Sequence, residues 1–206
     1  FTGQMLVLYI LTLKISFLKK DIDKKVFEQK IKELKKLPKL IKTTLSIESE
    51  IENISNTFAN AKGSMFLGRG FAYPIAMEGA LKLKELCYVH AEGYPAGEMK
   101  HGPLALIEEG IPVVVLAPRD KYYEKTLSNM QEVISRGAKV LLISNKSKNE
   151  ISSENVWKTI EVEKTSDELL PFLLTVPLQI LAFHSAKNKG YDIDKPRNLA
   201  KSVTVE

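Results

Sequence analysis

Apolar residues recur at helical spacing through the first third of the chain. In residues 2–18, leucine, tyrosine, isoleucine and phenylalanine stand three or four positions apart, which predicts an amphipathic helix. Residues 23–37 and 39–60 show similar spacing among charged and polar residues, and Pro38 separates the two stretches as a helix breaker. We therefore expect three helices here, of the kind that connects domains.

The pattern changes at Ser64 into short apolar runs that alternate with helical stretches. The runs predict strands at 65–67, 113–117 and 140–144, with weaker candidates at 159–162 and 88–91. The stretches between them predict helices at 72–87, 121–136 and 167–187. Short buried strands that alternate with helices are typical of parallel sheets covered on both faces. We predict an α/β fold, a three-layer αβα sandwich around a mostly parallel sheet of roughly five strands.

Composition and charge narrow the class of protein. The 206 residues carry a formal net charge of +5, and their hydrophobic share of 44% and charged share of 27% are ordinary for a globular protein. The lysines concentrate in residues 14–43 without an arginine and aromatic pattern. A solvated helical face is therefore favoured over a nucleic-acid interface, and we expect no nucleic-acid partner.

The compartment and the limits of the chain can also be predicted. Cys87 is the single cysteine, which excludes an intrachain disulfide and favours a reducing, cytoplasmic compartment. The apolar run 5–13 is too short to cross a bilayer and lacks the flanks of a signal peptide, so we expect no membrane partner. Because residue 1 is Phe within a helical pattern, we expect the chain to be part of a longer protein.

The predicted helix 72–87 carries a stripe of charge. Glu78, Lys82 and Glu85 stand at positions i, i+4 and i+7 and share one side, with apolar residues on both flanks. One interpretation is a surface ion pair worth a few tenths of a kcal/mol. The other is a carboxylate base held beside an ammonium group that tunes it. The residues alone leave both open. The opposite, core-facing stripe consists of Ala76, Ala80, Leu83 and Cys87.

A histidine and a glycine pair are the other candidates for chemistry. His101 lies in a stretch rich in glycine and proline, just before Pro103 as the predicted start of a short helix. The positive potential there would favour a neutral imidazole suited to proton transfer, although a loop-capping histidine is the alternative. Gly68-Arg69-Gly70 after a strand is either a fragment of a phosphate cradle or a sharp turn into the helix.

No metal site is predicted. His90 and His184 lack the setting of His101, and we interpret both as structural. No group of cysteine, histidine or aspartate residues has metal-ligand spacing, so we expect neither a metal nor another cofactor.

Five sequence blocks carry a specific resemblance. They are LGRG (67–70), YPIAMEGALKLKE (73–85), HAE (90–92), GEMKHGPLAL (97–106) and NLAKS (198–202). Together they resemble the second sugar-isomerase (SIS) domain of the glucosamine-6-phosphate synthase family, the isomerising glutamine–fructose-6-phosphate aminotransferases. The resemblance covers essentially the whole chain. It implies an SIS-type fold and three parts: the last helix of a preceding SIS domain (1–20), a helical connector (21–61) and the second SIS domain with a catalytic C-terminal tail (62–206).

The resemblance also implies roles for individual residues. Glu85 matches the family's proton-transferring base, Lys201 the lysine that forms a Schiff base with the open-chain ketose, and His101 the ring-opening histidine contributed across a dimer interface. Lys82 would stabilise the charge that develops on the enediol-like intermediate or would shuttle a hydroxyl proton. Ala200, Lys201 and Glu85 would bind the sugar. Glu78 and Arg69 would not touch the sugar but would support the residues that do.

The implied partners are fructose 6-phosphate, glucosamine 6-phosphate, a second copy of the chain, and the glutaminase and first SIS domains of a longer parent. Two departures from the family pattern matter. Nothing in the chain resembles the family's Ser/Thr-rich phosphate clamp or its N-terminal glutaminase cysteine. We therefore expect the chain alone to be inactive or weakly active. The alternative is a non-catalytic SIS module for sugar-phosphate binding or dimerisation.

Overall fold

The structure is a computed structural model that describes residues 1–147, 155–197 and 199. Ala200 and Lys201, both predicted to bind substrate, lie outside the described residues. The helices are α1 (Thr2–Leu18), α2 (Lys24–Leu34), α3 (Leu37–Leu45), α4 (Glu48–Ala59), α5 (Ala72–Cys87), α6 (Tyr123–Ile134) and α7 (Leu170–Asn188). The strands are β1 (Gly63–Gly68), β2 (His90–Pro95), β3 (Pro112–Leu116), β4 (Lys139–Ser144) and β5 (Lys158–Glu161).

The strands form one parallel sheet in the order β2-β1-β3-β4-β5. This confirms the predicted α/β class, the strand number and the parallel direction. The predicted strand at 88–91 was wrong in its position, because β2 begins only at His90 and continues to Pro95. Tyr88 instead ends α5 in the left-handed conformation, with φ of 56°.

Alternating side chains of the strands build two cores, one on each face of the sheet. Phe66, Val114 and Leu116 face a core shared with α4, α5 and α7. Their neighbours Leu67, Val113 and Val115 face a second core with α6 and the 3₁₀ helix at Ala96–His101. A parallel sheet buried on both faces requires such continuous apolar strands, and the three-layer prediction is confirmed.

The N-terminal helices differ from the prediction in one respect. The predicted helix 39–60 is two helices, α3 and α4, and Pro38 lies in the first turn of α3 instead of separating elements. Proline is tolerated there because its missing N–H needs no helical partner. At the C-terminal end of α3 the Ser46 hydroxyl donates to the Thr43 carbonyl at 2.7 Å. Such local bonds compete with the helical ladder.

Helix α1 packs against the main core along one side, through Met5, Leu6 and Tyr9. Leu13 is its single buried residue. Phe17 of α1 stacks on Phe27 of α2, with ring centroids 4.7 Å apart. Its remaining apolar surface is exposed at Val7, Leu8, Ile10, Leu11, Ile15 and Leu18.

Helix α7 is long and apolar enough to cross a bilayer by length and composition. However, 78% of its most apolar window is buried inside the fold, where α7 packs on α4 and α5. A buried core helix passes the same test, so this is weak evidence for a membrane span.

Candidate active site

The predicted charged stripe forms a contiguous cluster on α5. Lys82 Nζ lies 2.5 Å from Glu85 Oε2 and 3.9 Å from Glu78 Oε1. The side chains of Lys82, Glu85 and Glu78 are 30%, 26% and 11% exposed, respectively. We call these three residues the charged triad. Its partial burial favours the second of the two sequence interpretations, since a simple surface pair would be well solvated.

Burial changes the pKa of Glu78, the innermost carboxyl of the triad. Removal from water raises the pKa of Glu78 above its ordinary value of 4.5, the nearby Lys82 ammonium opposes that rise, and Glu85 adds to it. A carboxylate that is partly desolvated beside a second carboxylate is typical of functional sites.

Two open clefts flank the triad. One, of about 520 Å³, is lined by Lys82 together with Leu86 and residues of α3, α7 and the chain after α7. The other, of about 490 Å³, is lined by Glu78 together with Lys84 and the end of β2. The apolar residues predicted to flank the triad shield it only in part, because two of them, Met77 and Leu81, are 48% and 40% exposed. A small polar ligand could reach the triad from either side.

The opposite end of α5 is built for close packing. A Cβ on Gly68 would stand 2.5 Å from the Ala72 carbonyl group, so the strand can turn into the helix only with glycine there. Arg69 continues the turn, donates from Nε to Asn129 Oδ1 at 3.2 Å, and lies so close to Gly97 that a Cβ there would meet its guanidinium. These contacts favour the sharp-turn interpretation of Gly68-Arg69-Gly70.

His101 lies on the face of the sheet opposite to α5, in the segment whose Gly97 contacts Arg69. It closes the 3₁₀ helix Ala96–His101, is 76% exposed, and its Nε2 lies 3.9 Å from Glu98 Oε2. Pro103 does begin a short 3₁₀ helix, Pro103–Leu106, as predicted. That helix has only four residues, so the predicted effect of a helix N-terminus on the imidazole has little support, because a macrodipole needs several aligned turns.

The segment that carries His101 is tied to α6. Lys100 Nζ lies 3.0 Å from Glu132 Oε1, and Glu132 follows Asn129, the partner of Arg69, on the same helix. Neither Asn129 nor Glu132 was singled out from the sequence, because their partners lie far away along the chain and no local pattern marks them.

The fold separates His101 from the charged triad within one chain. Since β1 leads directly into α5, this helix begins at the carboxyl edge of the sheet and runs back along it. Glu85 is thirteen residues beyond Ala72, roughly 20 Å along the helix axis. His101 ends the 3₁₀ helix Ala96–His101, which packs with α6 on the face of the sheet opposite to α5. Among the described residues, no hydrogen bond or ion pair links His101 to the triad.

The remaining singled-out residues are structural in character. Cys87 is buried on α5, and this burial raises the pKa of its thiol to about 12. His184 is 3% exposed and its Nε2 lies 3.0 Å from Glu48 Oε1, whereas His90 lies on the sheet edge with Nε2 3.2 Å from Glu92 Oε1. Within the described part of the chain, no cluster of histidine, cysteine and acidic residues could hold a metal ion.

A scan against protein-family models matches the SIS domain over residues 57–188. The chain belongs to the SIS domain family. This SIS chain is 44% identical over all 206 residues to the glutamine–fructose-6-phosphate aminotransferase (isomerizing) of Bartonella quintana, and 48% identical to that of Bacteroides thetaiotaomicron. It spans about a third of the length of these relatives, 34% and 33% respectively.

A solved structure agrees in fold and sequence. The SIS chain superposes on the C-terminal domain of the glucosamine–fructose-6-phosphate aminotransferase of Francisella tularensis with a TM-score of 0.90 and 43% identity. The match covers 95% of this chain and 55% of that one. The resemblance and the SIS-type fold predicted from the sequence blocks are therefore confirmed.

Proposed function

We propose that this chain is the isomerase part of an enzyme that makes glucosamine 6-phosphate from fructose 6-phosphate and glutamine-derived ammonia. The observation that supports this most directly is the partly buried Lys82–Glu85 ion pair at 2.5 Å, with Glu78 behind it. It occurs in a chain that is 44–48% identical, over its whole length, to aminotransferases named for this activity.

In the proposed reaction, His101 from a second copy of the chain opens the sugar ring by proton transfer. The Lys201 amine then attacks the C2 carbonyl, and water leaves as the imine forms. Ammonia displaces the lysine and leaves an imine on the sugar. Glu85 removes a proton from C1 and returns it to C2, while the proton of the C1 hydroxyl passes to the imine nitrogen, which produces the aldehyde at C1 and the amine at C2. The Lys82 ammonium stabilises the negative charge that develops between these proton transfers.

The same proposal assigns supporting roles to the remaining candidates. Glu78 contacts Lys82 from the inner side, so it would fix the ammonium in place beside Glu85. Arg69 contacts Asn129 and Gly97 instead of the triad. It would support the loop that carries His101. Ala200 and Lys201 would contact the sugar beside Glu85.

The proposal includes an assembly and a domain division. A homodimer in the cytoplasm would supply His101 across the interface, and glutaminase and first SIS domains would precede this chain in a longer protein. We divide the chain into the last helix of the preceding domain (1–20), a connector (21–61) and the second SIS domain (62–206). The exposed apolar surface of α1 supports this division, because such a surface usually packs against another domain.

The test uses the protein extended to the length of its relatives, with fructose 6-phosphate and glutamine as substrates. Glu85→Gln should lower product formation by about 10²- to 10⁴-fold, the usual contribution of a general base. Glu124→Gln removes an exposed helical carboxylate and is the matched control. Lys82→Met should lower the rate by about 10²-fold or more, whereas Lys125→Met, which removes an exposed lysine of α6 away from both clefts, should not.

The alternative, a non-catalytic module for sugar-phosphate binding or dimerisation, predicts different results. It requires wild-type protein that binds hexose 6-phosphate without converting it. Full turnover by Glu85→Gln would remove Glu85 from the base role.

A further inference from the structure

The C-terminal segment that leads to Lys201 is fastened to the end of α5. The backbone N–H of Arg197 donates to Tyr88 Oη at 2.8 Å, and the Arg197 guanidinium lies 4.0 Å from the centre of the Tyr88 ring. On its other side the Tyr88 ring contacts Tyr191, with centroids 5.0 Å apart. Tyr88 is thus the common partner of the first and last residues of segment 191–197. We call this arrangement the Tyr88 clasp.

The backbone of Tyr88 suggests that this position is specialised. It takes the left-handed conformation, with φ of 56°, immediately after α5. Helices commonly end in this conformation, but glycine or asparagine usually provides it, and a bulky side chain is uncommon there. Tyr88 thus places a large ring at a position where a smaller residue would be easier to accommodate.

The segment held by the clasp also reaches the candidate active site. Ile193 packs against the main core and lines the same cleft as Lys82. Glu85 precedes Tyr88 by three residues, about one helical turn. The clasp therefore places the segment beside the charged triad, on the face of the sheet opposite to the 3₁₀ helix that ends at His101.

Chain length then limits where Lys201 can go. It stands four positions after Arg197, and an extended chain covers at most about 3.6 Å per position, so the two Cα atoms are within about 14 Å of each other. A reactive group on so short a tether has a high effective concentration at nearby sites. We infer that Tyr88 is a positioning residue, which holds the root of the tail so that the Lys201 amine stays within reach of Glu85 and its sugar. This inference rests on the imine-forming role of Lys201 in the proposed function.

The test separates the clasp from the chemistry and uses the protein at the length of its relatives. Tyr88→Phe keeps the ring and removes the acceptor oxygen, and Tyr88→Asn removes the ring while keeping a residue that tolerates the left-handed conformation. Lys195→Gln, which removes an exposed charge from the same segment, is the matched control. Amide hydrogen exchange of residues 191–197 reports the clasp. Borohydride trapping of the imine between Lys201 and fructose 6-phosphate reports the chemistry.

In Tyr88→Phe the Arg197 amide should exchange about tenfold faster, because it loses its acceptor. In Tyr88→Asn the whole segment should exchange faster, and the trapping rate should fall about tenfold through a lower effective concentration. Its turnover number should fall with the trapping rate, and its KM for glutamine should not change. The control should match the wild type in all four measurements: amide exchange, trapping rate, turnover number and KM for glutamine.

Each of the other outcomes would contradict one part of this inference. Unchanged exchange in Tyr88→Asn would overturn the clasp itself. Faster exchange with an unchanged trapping rate would show that the clasp does not position Lys201. Wild-type protein that is protected at 191–197 but traps no imine at Lys201 would overturn the proposed role of that lysine, and with it this positioning role.

Discussion

The two ends of α5 differ in how their charges are arranged. At its start, the Arg69 side chain is paired with Asn129 and packed on Gly97, and the glycine before it allows a tight turn. Near its end, two carboxylates share one ammonium in a partly buried position. At the first end the polar side chains are hydrogen-bonded within the protein, as expected for a rigid structural support. The second end keeps an excess of negative charge near open clefts, as a proton-transfer site requires.

This comparison separates the SIS chain from many open α/β folds. Ligands in such folds usually bind at the carboxyl edge of the sheet. Here the triad and the Tyr88 clasp lie away from that edge, and His101 lies on the opposite face of the sheet. A site that needs both the triad and His101 can be completed only if a second copy of the chain presents its His101 segment to the triad.

The largest effect is expected when substitutions in the triad and at His101 are placed in different subunits of one dimer. Glu85→Gln and His101→Asn should each lower activity by about 10²- to 10⁴-fold in the full-length protein. When the two variants are mixed and allowed to exchange subunits, half of the dimers contain one of each, and each mixed dimer has one intact site of two. Activity should return to about a quarter of the wild-type value.

The control for this experiment is a mixture of Glu85→Gln with Lys82→Met. Both of these substitutions affect the triad of their own chain, so no mixed dimer would have an intact site and activity should stay low. If the Glu85→Gln and His101→Asn mixture also stays inactive, although subunit exchange is detected, His101 does not act across the interface.

A second test concerns the rigidity of the first end. Gly68→Ala should lower the free energy of unfolding by about 1–3 kcal/mol, because its Cβ would meet backbone atoms of Ala72 at 2.5 Å and the helix would have to move. Urea unfolding of the chain measures this. Gly3→Ala, where the added Cβ meets nothing within 4 Å inside α1, should instead be neutral or slightly stabilising. Equal stability of Gly68→Ala and wild type would contradict the close packing at this turn.

The sequence predicted the fold more fully than the site. Buried parallel strands are continuous apolar runs, so β3 and β4 were readily recognised, and α5 was predicted at its observed bounds. The start of β2 was missed because Tyr88 ends α5 with an unusual backbone conformation that no residue preference indicates. The break between α3 and α4 was missed because helical spacing continues across it.

Within the site, helical spacing sufficed to predict the charged triad, since its members belong to one element. The contacts of Arg69 with Asn129 and of Tyr88 with Arg197 span 60 and 109 positions. They depend on tertiary packing, which short-range patterns do not record. The roles of Lys201 and Ala200 remain predictions from resemblance.

A third test weakens the support of the His101 loop. Arg69→Lys keeps the charge but loses the planar group that contacts Asn129 and Gly97 together. We expect a loss of about 1 kcal/mol in stability, typical of one hydrogen bond, and faster hydrogen exchange in residues 96–101. Residues 191–197, at the other end of α5, should be unaffected. Faster exchange in both segments would show that the two ends are not independent, and the comparison between them would fail.

The smallest expected effect is a pH dependence at Glu78. Burial raises the pKa of Glu78 in the folded state above its ordinary value of 4.5. The folded protein therefore binds this proton more tightly than the unfolded chain, so the ionised carboxylate costs stability once pH exceeds the unfolded value. Relative to Glu78→Gln, the wild type should be most stable at low pH. It should lose that advantage as pH rises through the raised pKa, with no further change above it. Urea unfolding of both proteins across this range measures the difference. A wild type that gains stability over Glu78→Gln with rising pH would mean that attraction to Lys82 outweighs the cost of burial, and that the triad is an ordinary ion-pair cluster.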